Sequence, residues 1–169
     1  MSYIFDSTPL IYLCKSGLDW IFHELGEECI IPECVYAEVI SKGKQIGEAD
    51  AQIAEELVNN GILIVEQTDH SINPVHLELE LHQGEIDVLS LASSLEGMAI
   101  IDDDITRTAG EILEVQVHGT IYLIFMMVRK GKLSKKEAKD KLNEMISNGF
   151  WMGHKQYLTI LELIDEIEM

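Results

Sequence analysis

Five short apolar runs punctuate the first 130 residues: Tyr3-Ile4-Phe5, Cys29-Ile30-Ile31, Ile62-Leu63-Ile64-Val65, Met98-Ala99-Ile100-Ile101 and Val115-Gln116-Val117. Between them lie segments whose apolar residues recur at helical spacing. Alternation of this kind builds βαβ units, because parallel strands can be joined only by a crossover, and strands covered on both faces read as continuous apolar runs. The expected architecture is therefore α/β, a central parallel sheet of four to five strands flanked by helices, with Val115–Val117 at an edge. Thr8 reads as an N-cap with Pro9 in the first helical position, and Gly17 as the stop. Residues 42–47 read as a loop before a helix from Ala49 to Val58. Residues 67–83 are polar, with a helical turn or two after Pro74. Further helices are expected from Gly84 to near Gly97 and from about Asp104 to Leu113, where Gly110 is a weak point.

Beyond residue 120 the pattern is helical throughout. Ile121 to Val128 is far shorter than the ~20 apolar residues of a membrane span and reads as a core helix. An amphipathic helix is expected from Lys132 to Ser147, with Ser134 as N-cap and Glu137 completing a capping box, and a last helix runs from His154 to Met169. The 169 residues, 47% hydrophobic, suit one domain, with residues 130–169 a helical C-terminal extension packed on it. The N-terminus has no basic region followed by a long apolar stretch, so the expected location is the cytoplasm and no membrane is expected as a partner. Cys14, Cys29 and Cys34 form no C-x-x-C pair and read as buried, reduced thiols.

Thirty acids against 12 bases give a formal net charge of -18. That is the wrong sign for an ordinary phosphate-binding surface, where Lys and Arg displace counterions. A nucleic-acid function then needs bound divalent cations, or a basic partner, to invert the field locally. The main basic cluster, Arg129-Lys130-Gly131-Lys132-Leu133-Ser134-Lys135-Lys136, is either a phosphate-facing lip or the solvated end of two helices.

The acids fall at informative places. Asp6 ends the first strand, Glu38 lies on an early helix, Glu85 and Asp87 open a later one, and Asp102, Asp103 and Asp104 follow the fourth strand. In open α/β sheets the carboxyl ends of the central strands converge on one edge, which is where ligands bind. Carboxylates gathered there repel one another unless a cation lies between them, and oxygen-rich sites suit Mg²⁺ or Mn²⁺. Such a site hydrolyses phosphodiesters by activating water and stabilising charge on the phosphate. Each acid also has a structural reading: Asp6 as a cap, Glu38 as a solvated helix face, Glu85 and Asp87 as residues favoured at a helix N-terminus. The six histidines show no i, i+4 metal spacing, and neither a G-x-S-x-G elbow nor a phosphate-binding G-x-x-x-x-G-K-[ST] loop is present.

Phe5-Asp6-Ser7-Thr8-Pro9-Leu10-Ile11, Ile31-Pro32-Glu33-Cys34-Val35-Tyr36-Ala37-Glu38-Val39, Gly84-Glu85-Ile86-Asp87-Val88-Leu89 and Ile100-Ile101-Asp102-Asp103-Asp104 follow one another in order. With Gly119-Thr120, they resemble the motifs of PIN-domain proteins, and especially a prokaryotic subgroup similar to VapC toxins. The resemblance implies a PIN-like fold and a Mg²⁺- or Mn²⁺-dependent endoribonuclease that cleaves single-stranded RNA. It further implies the toxin of a toxin–antitoxin pair, with an antitoxin protein as partner and a homo-oligomer, a dimer, as the assembly. Carried over by position, the catalytic and metal-binding acids are Asp6, Glu38, Asp87 and Asp103, with Glu85, Asp102, Asp104 and Ser7 as secondary candidates. Asp87 is preferred to Glu85 because it directly precedes the apolar helix. Asp103 is preferred to Asp102 because the family's acid usually lies one residue before the loop into the next helix. Asp104 departs from the subgroup, which usually has a basic residue there. The charge motivates a second expectation, a PIN-fold binding or regulatory module with little or no nuclease activity.

Overall fold

The computed structural model describes residues 1–69 and 79–168. The helical turn expected after Pro74 lies outside the described residues, as do His70 and His76. Five strands form one sheet: β1 (Tyr3–Phe5), β2 (Cys29–Pro32), β3 (Leu63–Glu66), β4 (Met98–Ile100) and β5 (Gln116–His118). All pair in parallel, in the order β3-β2-β1-β4-β5. β1 is central, with Tyr3 opposite Cys29 on one side and Met98 on the other. The chain thus builds outward through β2 and β3, then returns to the far side of β1 for β4 and β5. Ile4, Phe5, Ile31, Ala99 and Ile100 are fully buried, as continuous apolar strands in an α/β sheet require.

The helices are α1 (Ser7–Lys15), α2 (Ile21–Glu24), α3 (Glu33–Tyr36), a π-helical turn (Ala37–Ser41), α4 (Lys42–Gln45), α5 (Ala49–Asn59), α6 (Gln83–Ser94), α7 (Asp104–Leu113), α8 (Thr120–Arg129), α9 (Lys135–Ser147) and α10 (His154–Glu166). α6 packs on the three central strands, α1 on α5, and α7 on β5. Met1–Gly119 and Thr120–Met169 are two compact units. Within the second, α9 packs on both α8 and α10. Tyr157 donates to Asn143 Oδ1 at 2.6 Å, and the Lys139 ammonium lies 2.6 Å from Asp165 Oδ1. No helix among the described residues is long and apolar enough to cross a membrane.

Two local expectations are corrected. Asp6, extended at φ -79° and ψ 171°, is the N-cap of α1, and Thr8 sits inside the helix. Pro9 is tolerated at the third position because the first turn's N–H groups have no intrahelical acceptor to lose. Residues 42–45 are helical rather than loop. A Cβ on Gly43 would lie 2.8 Å from Ala51 Cβ, so the glycine lets α4 lie directly on α5. The helix ends at Gly47, whose φ of +79° a side chain would disfavour.

Candidate functional site

Direction reverses between β1 and β4, and the crevice outside their carboxyl ends is where this topology places a ligand. The Asp6 N–H still donates to the Ile100 carbonyl at 3.0 Å, so the backbone of Asp6 is fixed by the sheet while its side chain leaves it. Ile101 is held in the same way by the His118 carbonyl at 2.8 Å, and Asp102 follows. Two acids thereby stand at the ends of adjacent strands.

The rest of the site comes from three helix beginnings. Ser7, buried in the first turn of α1, donates its hydroxyl to Glu38 Oε2 at 2.8 Å. Glu38 itself is exposed and sits in the π-helical turn, a local widening that recurs at functional sites. From the other side comes the first turn of α6, where a Cβ on Gly84 would lie 3.3 Å from Asp6 Oδ1. Together these residues line a cavity of about 450 Å³, with Asp6, Ser7, Cys34 and Glu38 facing His82 to Glu85.

Electrostatically the cavity is short of positive charge. The Asp6 carboxyl is raised from its ordinary value to about 6. Burial is the largest cause, partly offset by the Ser7 backbone N–H, and the charges of Glu85, Glu38 and Asp102 push it further. Burial, with the neighbouring Asp87 carboxylate, pushes the Cys34 thiol up to about 12, so it is protonated and able to donate. Cys34 is hydrogen-bonded to Asp87 and also feels Asp6. Gln83 Nε2 donates to Asp87 Oδ1 at 2.7 Å, and Asp87 is only 3% exposed.

The acids picked out in sequence thus take different stations. Asp6 and Glu38 share the cavity, and Glu85 lines it while its Oε2 accepts from the His82 N–H at 2.9 Å, closing the start of α6. Asp87 is buried beside Cys34. Asp103 caps α7: its Oδ2 accepts from the Thr106 N–H at 2.9 Å and the Thr106 hydroxyl at 2.8 Å. Asp104 is exposed in the first turn of that helix. Asp102 Oδ1 lies 2.6 Å, and Arg107 Nη2 2.7 Å, from where a Gly119 Cβ would be, so the glycine makes room for both groups. Cys14 and Cys29 are buried as expected, whereas Cys34 is half-buried at the cleft.

Among the described residues no three His, Cys, Asp or Glu side chains stand close enough to enclose a metal ion as they are. The donor chemistry nevertheless fits a hard cation. The groups are oxygen ligands, they interact unfavourably with one another, and Asp6 has a raised pKa that a cation would bring back down.

Sequence reasoning passed over Gln83, Cys34 and Arg107. Gln83 was open to detection as the residue four before Asp87, on the same helical face. Arg107 stands four residues after Asp103, one turn into α7. Cys34 carried no signal, since an isolated cysteine in an apolar context reads as core.

The model of family DUF3368, PIN domain, matches residues 2–166. No curated protein matches the chain. Among solved structures, the chain is similar to a PilT N-terminus domain protein, SSO1118, from the hyperthermophilic archaeon Sulfolobus solfataricus P2. The two are 17% identical over 73% of this chain and 90% of that one, with a TM-score of 0.47.

Proposed function

The chain belongs to the PIN-domain family, and from that premise we propose that it is a divalent-metal-dependent endoribonuclease acting on single-stranded RNA. PIN domains are generally nucleases that use divalent metals. The observation that carries the reading is Asp6, a half-buried carboxylate of raised pKa at the sheet's switch point, pressed by Glu38, Glu85 and Asp102.

The residues that would hold Mg²⁺ or Mn²⁺ are Asp6 and Glu38, with Asp102 and Asp87. The bound ion would stabilise charge on the phosphate and lower the pKa of a water. Asp102 is favoured over Asp103 because its charge bears on Asp6, whereas Asp103 Oδ2 is engaged in capping α7. Ser7 orients Glu38, and Gln83 with Cys34 orients Asp87, so neither acid has to be ordered when the substrate arrives. The motif order further supports a cytoplasmic toxin, dimeric and restrained by an antitoxin.

Recombinant protein incubated with single-stranded RNA tests the reading. Cleavage in Mn²⁺ that disappears in excess EDTA, and in Asp6→Asn, supports it; equal cleavage under either condition refutes the mechanism. One observation favours a second reading, a binding module without nuclease activity. Residues 1–119 hold 23 of the 30 acids and only four of the 12 Lys and Arg residues. Mn²⁺ binding together with RNA left intact at low salt, and no growth arrest on expression, would establish that reading instead.

A further inference from the structure

Beside a bound ion, a side-chain cation would help an acidic cleft hold a polyanion, and the four Lys and Arg residues of 1–119 are Lys15, Lys42, Lys44 and Arg107. Lys15 ends the helix that Ser7 begins, about 12 Å further along at 1.5 Å per residue. Lys44 is paired with Glu55 at 2.6 Å. Lys42 follows the π-helical turn and is exposed. Arg107 differs from all three. Its backbone is tied to Asp103, the N–H donating to that residue's carbonyl at 3.2 Å. Its guanidinium shares with Asp102 the space above Gly119, so a positive group is fixed beside an acid at the end of β4. The side chain also reaches the end of β5, since its charge, after burial, lowers the His118 pKa.

We propose that Arg107 is the phosphate-binding residue of this cleft: it contacts the backbone of a single-stranded RNA next to the carboxylates that hold the ion. The inference rests on the nuclease reading above. A guanidinium carries five donors in a planar fork, and one neighbouring carboxylate engages at most two of them. The remaining donors match the geometry of a phosphodiester, and the residue is exposed enough to offer them. Four lysines of the C-terminal helical unit are already engaged. Lys135 donates to the Asp165 carbonyl, and Lys136, Lys139 and Lys141 are paired with Asp140, Asp165 and Glu144 inside their own unit.

The test is fluorescence anisotropy of a labelled single-stranded oligoribonucleotide in Ca²⁺, over a series of salt concentrations, with a gel confirming that the RNA stays intact. Arg107→Gln is expected to bind about tenfold more weakly. The slope of log affinity against log salt should shift by about 0.7 in the positive direction, the value for one lost phosphate contact on a single strand. Arg107→Lys keeps the charge and should keep the slope. The Mn²⁺ affinity of Arg107→Gln, read by titration calorimetry, should not fall. A change below twofold with an unaltered slope, or an equal effect from Lys42→Gln, overturns the proposal, because net charge rather than a contact would then be at work. If the wild type binds no RNA at any salt concentration, the nuclease reading itself fails and takes the inference with it.

Discussion

The Ser7 hydroxyl donates a 2.8 Å hydrogen bond to Glu38 Oε2, joining the residue just after β1 to a helical turn 31 residues later. The hydroxyl is buried and the carboxylate is exposed, so the bond costs little desolvation and mainly limits where Glu38 points. Ser7→Ala should change stability by less than about 1 kcal/mol. Mn²⁺ affinity should fall about tenfold, as when an orienting partner of a metal ligand is lost. Thermal melts and titration calorimetry on the same preparation separate the two effects.

Asp6 makes stability depend on pH in a definite direction. Its folded pKa of about 6 lies above the unfolded value of 3.8, so the folded state binds more protons between the two. Metal-free protein therefore loses stability as pH rises from about 4 to 6, on the order of 3 kcal/mol from this group. Asp6→Asn should melt higher than wild type at pH 7.5 in EDTA and show no such gain at pH 4. Because a cation competes with that proton, the apparent Mn²⁺ affinity of wild type should rise with pH and level off above about 6.

Asp87 is almost fully buried and receives hydrogen bonds from Gln83 and Cys34. Gln83→Leu leaves a buried carboxylate short of a donor and should destabilise by about 1–3 kcal/mol. Because both donors serve one acceptor, the penalties of Gln83→Leu and Cys34→Ala should not add. A double-mutant cycle by denaturant unfolding reads the coupling directly, and strict additivity would show that the two act independently.

Gly110 lies inside a helix, where alanine would ordinarily gain up to about 1 kcal/mol. Here an added Cβ would meet Val117 Cγ2 and come within 3.0 Å of the Val115 carbonyl. Gly110→Ala should therefore destabilise by roughly 1–3 kcal/mol, the usual cost of overpacking, and the melting temperature gives the sign.

The strands were legible in the sequence because parallel strands buried on both faces leave continuous apolar runs, and β1, β2 and β4 each left one; the edge strand β3 left an apolar run although it is only partly buried. Where reading failed, a tertiary contact had overridden a local preference. Two glycines and two lysines at 42–47 resemble a loop until Ala51 is seen resting on Gly43. Asp6 and Glu38 were legible as a pair from their places in the chain. Which of Asp102, Asp103 and Asp104 caps α7 and which stands beside Arg107 was not legible, because that depends on the angle at which the helix leaves the sheet. Nothing local in the sequence encodes that angle.

The division of charge has a kinetic consequence. Residues 1–119 hold 23 acids and four bases, while residues 120–169 hold seven acids and eight bases. A surface that negative slows the approach of any polyanion, so encounter should quicken as ionic strength rises, the reverse of electrostatic steering. The barrier grows with the line charge of the visitor. A duplex, with one charge per about 1.7 Å of axis, is repelled more strongly than a strand of half that density. The acidity of the sheet-bearing unit would thus oppose a duplex more than a single strand before any group in the cleft made contact.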